Sequence, residues 1–285
     1  MKKILLGQTG MEISRVFYGG IVSMDDGQEN SDRYVEYAME KGINYYDVAP
    51  TYGDAQEKLG NSLIPYRNEI YLACKTRERS TEGAKATLEQ SLNLLKTDHF
   101  DLYQMHELSS VEEVERAFAK DGAFEVLLRA KEEGIAKHLG ITCHNDAAAL
   151  RALELYDFET VLFPTNWCVN MGKGFGNAIA AEIKARGIGF LGMKSMIHRA
   201  WLPGERDASR FPKSWCKPIS ENDALTVAAI KYAYSLGAQA IVPPGNFENF
   251  SFAVEHADEI TTPLTDAERE LLKAELAAVD GKYFF

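Results

Sequence analysis

Positive charge is in short supply in this 285-residue chain: 31 lysines and arginines stand against 42 aspartates and glutamates, for a formal net charge of −11. An exterior of that sign repels a phosphate backbone or an anionic membrane surface, so neither nucleic acid nor membrane is expected as a partner. Cysteine is scarce too. The four, Cys74, Cys143, Cys168 and Cys216, stand far apart with no C-x-x-C, which argues against a zinc knuckle, a redox dithiol or any other metal site. No apolar run approaches the roughly 20 residues that cross a bilayer, and the MKKILLG opening is too short for a signal h-region. A cytoplasmic protein is the expectation. Without a Ser/Gly-rich linker or a low-complexity tract, residues 1–285 read as one domain.

Apolar content is ample at 46%, and the length suits one barrel of about 250 residues. Eight short apolar runs recur in order: RVFYGG, INYYDVA, IYLACKT, FDLYQMHE, KHLGIT, TVLFPTN, IGFLGMKS and AQAIVPPG. Each is continuously apolar until its C-terminal end, as parallel strands covered on the outside should be. Helical patterns lie between them. Ala84, Leu88, Leu92 and Leu95 share one face, Asn145 and Asp146 open another helix, and Gly42 and Gly187 end helices ahead of strands. Asp54 with Glu57 reads as a capping box. The expected fold is therefore α/β, a single (β/α)8 TIM barrel with an N-terminal β-hairpin in KILLGQTGMEIS and an extra C-terminal helix in TDAERELLKAELAAV. The least regular stretch, from Lys194 to about Ser220, is basic and tryptophan-bearing, which marks it as a binding loop or lid.

In such a barrel the C-terminal strand ends share one mouth, where catalysis resides. Asp47 ends the second strand, Tyr52 follows on its loop, Lys75 belongs to the third and His106 to the fourth. Taken singly, each has an ordinary explanation: a turn aspartate, a surface tyrosine, a snorkelling lysine, a strand-end histidine. Together they make a proton donor. An ammonium beside a phenol stabilises the phenolate, a carboxylate offsets the cost of burying that ammonium, and the histidine orients a substrate oxygen. Protonating an oxygen without a nucleophile or metal suits hydride attack on the adjoining carbon, and hydride implies a nicotinamide cofactor.

Four segments in register carry a resemblance: YYDVAPTYGDAQEKLG, YRNEIYLACKT, SLNLLKTDHFDLYQMHE and EEGIAKHLGIT. Through them the chain resembles the aldo-keto reductase superfamily over essentially its full length. The resemblance implies NAD(P)H-dependent reduction of an aldehyde or ketone, sugar-derived carbonyls included, with Tyr52 as general acid, Lys75 and Asp47 as its tuning pair and His106 orienting the carbonyl. The expected cofactor-binding set is Gly20, Thr142, Asn145, Asn166, Met193, Lys194, Gly245, Asn246 and Asn249, with Lys194 at the barrel mouth expected to meet an anion, either the pyrophosphate or a substrate carboxylate. Departures from the family pattern fall here. Cys143 stands in place of the usual Asn and Pro164 in place of the usual Gln, so Thr142, Asn145 and Asn166 are expected to hold the carboxamide. Met193 replaces the stacking aromatic. The segment VPPGNFENFSFAVEHADE contains no Lys or Arg to grip a 2′-phosphate, and Glu248 and Glu255 would repel one, so NADH is the expected preference.

Two other functions fit the same fold. One is a nucleotide-binding sensor or interaction protein with little catalysis. The other is an aldolase-like lyase forming a Schiff base through Lys75 or Lys194, which Asp47 disfavours by keeping Lys75 protonated. Pocket shape is expected from the loops after the first, fourth and seventh strands and from the closing GKYFF.

Overall fold

The computed structural model describes residues 1–284, and Phe285, the last residue of GKYFF, lies outside them. Strands β1 (Lys3–Leu5) and β2 (Glu12–Ser14) pair antiparallel as the expected hairpin. Its turn needs glycine: Gly7 has φ +52°, and a Cβ there would lie 2.3 Å from the Gly189 nitrogen. Seven parallel strands follow in sequence order, β3 (Tyr18–Gly19), β4 (Tyr45–Asp47), β5 (Tyr71–Thr76), β6 (Phe100–Leu108), β7 (Ala136–Cys143), β8 (Thr160–Pro164) and β9 (Gly189–Met193). A short antiparallel pair, β10 (Ile197–Arg199) and β11 (Lys217–Pro218), precedes the eighth barrel strand, β12 (Ala240–Val242). Phe17 N–H donates to the Ile241 carbonyl at 3.1 Å and Ile241 N–H to the Arg15 carbonyl at 2.9 Å, bridging the first barrel strand to the last.

The crossover helices are α1 (Gln28–Glu40), α2 (Ala55–Ser62), α3 (Thr81–Leu95), α4 (Val111–Phe118), α5 (Phe124–Glu132), α6 (Asp146–Leu155), α7 (Trp167–Lys173), α8 (Asn177–Arg186), α9 (Asp223–Ser235) and α10 (Phe247–Glu255), with α11 (Ala257–Ile260) and α12 (Asp266–Val279) at the end. On α3, Ala84, Leu88 and Leu95 are buried as the spacing requires, with Ser91 joining them. The core divides by strand alternation. Inside the barrel, Phe17, Tyr45, Ala73, Leu102, Leu162, Leu191 and Ala240 pack on Leu6, Met11 and Ile13, so the hairpin plugs the N-terminal end. The outward-facing residues pack against the helices, and the extra helix α12 lays Leu272 and Val279 against α7 and α9.

Two local expectations change. Asp54 stands at the N-terminus of α2 but does not cap it. Its carboxylate accepts the Asp25 N–H at 2.8 Å instead, tying the loop after β3 to the loop that carries Tyr52. The basic stretch is also not structureless. Arg199 grips Glu205 through both terminal nitrogens at 2.8 Å, Lys217 joins the same carboxylate, and the Trp201 indole donates to the Ser214 carbonyl at 2.8 Å. Glu205 thereby ties Arg199 on β10 to Lys217 on β11.

Candidate active site

Asp47, Tyr52, Lys75 and His106 converge at the C-terminal end of the barrel. Asp47 closes β4, Lys75 lies on β5, and the β5–β6 ladder sets Lys75 opposite Gln104, two residues before His106. Alternation then points Lys75, Gln104 and His106 inward, while Cys74 faces the outer layer. Lys75 is 0% exposed and ion-paired with Asp47, whose second oxygen accepts the Gln104 N–H at 2.9 Å. The Lys75 nitrogen lies 5.7 Å from the centre of the Tyr52 ring, and the His106 ring meets Tyr52 edge-on at 5.9 Å.

The end of β6 is held tightly. Glu107 adopts a left-handed backbone, φ +55°, where the ladder to β7 shifts register, and its N–H donates to the Thr142 hydroxyl at 2.7 Å. Arg79 donates to the carbonyls of His106 at 2.9 Å and Glu107 at 3.0 Å. His106 is thereby fixed by its backbone, and its Nδ1 is buried without a hydrogen-bond partner.

Burial pushes the Tyr52 phenol well above its ordinary pKa, and the nearby Asp47 and Glu107 carboxylates push the same way. The sequence had suggested the opposite direction, from Lys75. Burial outweighs that contribution, and the phenol stays protonated. Burial lowers His106 far below the usual histidine range, with the Lys75 charge adding to it, so the ring is neutral.

A cavity of about 680 Å³, counting its opening to solvent, lies against Asp47 and Tyr52. Ile21, Leu162, Met193 and Val242 line its apolar walls, and Lys213, Ser214, Trp215 and Cys216 of the basic segment cover it. Trp215 is 53% exposed and lies 5.9 Å from the Tyr52 ring. Lys213 anchors the cover across the mouth, reaching the Val22 carbonyl at 3.1 Å and Asp26 at 2.5 Å. These loop residues and Gln104 were missed as site residues. For Gln104 a signal was present in its position two residues before His106; for the others only the basic, aromatic composition was.

Residues 20–238 match the Aldo/keto reductase family. The chain belongs to this family. It is 31% identical over 156 residues to the uncharacterized oxidoreductase YqkF of Bacillus subtilis (strain 168), a match covering 50% of this chain and 49% of that protein, so the chain spans about half the length of this relative. It is 28% identical over 256 residues to the probable aldo-keto reductase 1 of Glycine max, covering 78% of this chain and 69% of that one. The solved holo form of an aldo-keto reductase from Bacillus halodurans superposes with a TM-score of 0.72 at 20% identity, covering 96% of each chain, which establishes the shared (β/α)8 fold.

In this family member the residues read as cofactor contacts separate into two groups. Met193, Lys194 and Gly245 line the cavity. Lys194 has a left-handed backbone, φ +63°, and burial lowers its ammonium below the usual range. Gly245 lets the Ile21 side chain pack directly on the backbone, since a Cβ there would fall 2.2 Å from it. Next to it, the Asn246 oxygen and the Asn249 nitrogen are buried without hydrogen-bond partners. The second group is occupied elsewhere. Asn166, expected on the carboxamide, uses its whole amide: the oxygen caps α7 through the N–H groups of Cys168 and Val169, and the nitrogen donates to the carbonyls of Lys194 at 2.9 Å and Ile197 at 2.6 Å. The Asn145 oxygen caps α6 through the Ala148 N–H. The Thr142 oxygen accepts the Glu107 N–H, which leaves it one lone pair and its own hydrogen. Gly20 packs on Val48 while its neighbours Gly19 and Ile21 form the wall. Of the two carboxylates expected to repel a 2′-phosphate, Glu248 lines a side groove with Asn249 and Arg210, whereas Glu255 accepts from the Tyr37 hydroxyl at 3.4 Å, on the α1 side.

Proposed function

We propose that this chain is an NAD(P)H-dependent oxidoreductase that reduces an aldehyde or ketone to the alcohol, Tyr52 giving the proton. The observation that carries this is the buried, protonated Tyr52 phenol on a cavity wall, with neutral His106 edge-on to it and the Lys75–Asp47 pair beside it. A bound nicotinamide dinucleotide supplies the hydride. The residues that would hold it are Gly245, Met193 and Lys194, which line the same cavity, and Asn249 on α10 just beyond Gly245, whose buried N–H groups lack an acceptor.

The chain's own residues do the rest. Burial keeps the proton on Tyr52 until a carbonyl oxygen arrives. His106, neutral, directs that oxygen toward the phenol. As the proton leaves, the developing phenolate meets the Lys75 ammonium, which Asp47 and Gln104 hold in place without exposing it to water. The apolar walls and Trp215 suit a small carbonyl compound with an apolar body, and sugar-derived carbonyls remain within the same reading through their C–H faces. A Tyr52→Phe variant should bind dinucleotide normally and lose about 10²- to 10⁴-fold in turnover. Undiminished turnover of that variant removes Tyr52 from the mechanism.

NADH is the preferred cofactor on this reading, because the start of α10 offers Glu248 and no cation of its own; the one cation on that groove, Arg210, comes from the loop. Dissociation constants for NADH and NADPH at one salt concentration test it, and a strong NADPH preference overturns it. One observation favours a second reading: burial lowers Lys194, the direction that an amine nucleophile requires. Borohydride trapping of a carbonyl adduct on Lys194 would establish that chemistry.

A further inference from the structure

We propose that Gln104 is a positioning residue for proton donation, fixing the Asp47 carboxylate so that Lys75 is held beside Tyr52. This rests on the reading of Tyr52 as the proton donor. Gln104 is 0% exposed at the centre of β6, flanked by Lys75 on β5 and Gly140 on β7. Its side-chain nitrogen reaches Asp47 Oδ2 at 2.9 Å, while Lys75 takes Oδ1. The amide can face only this way, because its oxygen turned toward a carboxylate would oppose two acceptors.

The arrangement is poor as packing. The other end of the amide, Oε1, is buried without a hydrogen-bond partner, and an unpaired buried carbonyl is costly. Leucine or methionine would fill the same volume without that penalty. A polar side chain that breaks the rule of the core, with its one bond made to a residue of the proposed site, marks a functional constraint. Its physical effect is on orientation. A carboxylate with a separate partner on each oxygen has one allowed plane; released from Gln104 it can rotate, and the Lys75 ammonium turns with it away from where charge develops on the phenol.

Gln104→Met and Gln104→Leu remove the donor at near-constant volume. The expected result is a kcat lower by about 10- to 100-fold, the scale of an N–H bond to an ionised acceptor, with KM for the carbonyl and the dinucleotide dissociation constant unchanged. The solvent deuterium isotope effect on kcat should rise, since proton transfer becomes limiting. Rates are taken per dinucleotide-binding site, so a variant that folds in part is still read on its folded fraction, and Gln104→Leu serves if Gln104→Met does not fold. A per-site kcat equal to the parent's, or one reduced without any rise in the isotope effect, overturns the proposal. Tyr52→Phe, assayed alongside, separates the two claims. Retained turnover there sinks the proton-donor reading itself, whereas lost turnover there with intact Gln104 variants sinks only the role of Gln104.

Discussion

Replacing one member of the Lys75–Asp47 pair should cost far more stability than replacing both. Lys75 is 0% exposed and Asp47 is nearly so, and each is the other's counter-charge. Asp47→Asn leaves a buried ammonium facing a neutral amide, and Lys75→Met leaves a buried carboxylate with Gln104 as its remaining hydrogen-bond partner. Loss of one partner from a buried pair typically costs about 3–5 kcal/mol. For a chain of this size each kcal/mol lowers Tm by about 2–4 °C, so either single variant should melt roughly 6–20 °C below the parent. Lys75→Met with Asp47→Asn removes both charges and keeps an oxygen for Gln104, so it should recover most of that loss while lacking activity.

Denaturant unfolding of the four proteins, parent included, gives the coupling energy directly, and following reduced-cofactor absorbance with a carbonyl panel gives activity. If the single variants lose under about 1 kcal/mol, or if the double variant is no more stable than the worse single, the pair is not a mutually compensating one. If the double variant retains turnover, Lys75 has no part in stabilising the phenolate. The two readouts separate a structural role for the pair from a chemical one, which a single substitution cannot do.

Stability should also fall as pH drops below about 6.5, the unfolded histidine value. His106 is lowered well below the usual range and His144 to about 3, both chiefly by burial. The unfolded chain therefore binds protons that the folded one refuses, and each histidine contributes a slope of up to about 1.4 kcal/mol per pH unit from 6.5 downward. Urea midpoints between pH 5 and 7 measure it, and His106→Asn should flatten the curve; an unchanged slope would show that His106 titrates normally. Glu205→Gln should loosen the cover over the cavity, because Arg199, Lys217 and the Leu202 N–H all converge on that carboxylate. Faster tryptic cleavage at Arg206 and Arg210 with a raised carbonyl KM is the expected pairing, and unaltered protection at both sites contradicts it.

How far the site could be read in advance depended on whether a residue's position had one meaning or two. Asp47, Lys75 and His106 sit at the ends of strands, and once eight apolar runs imply one barrel, topology makes their neighbours known whatever the loops do. Thr142, Asn145 and Asn166 resisted the same reading because a short polar side chain after a strand is as good a helix cap or backbone bracket as it is a ligand contact. The sequence carries no sign of which is chosen; Asn166 went to α7 and to the carbonyls of Lys194 and Ile197, which the turn at left-handed Lys194 brings beside it. Glu205 was hidden for a related reason. As one acid among many cations it reads as background charge, and only the fold shows that Arg199 on β10 and Lys217 on β11 are brought together on its carboxylate. The direction of the Tyr52 shift belongs with these cases. Proximity of Lys75 was legible, but the shift is set first by how completely the fold buries the phenol and then by the Asp47 and Glu107 carboxylates beside it, neither of which a spacing in the sequence encodes.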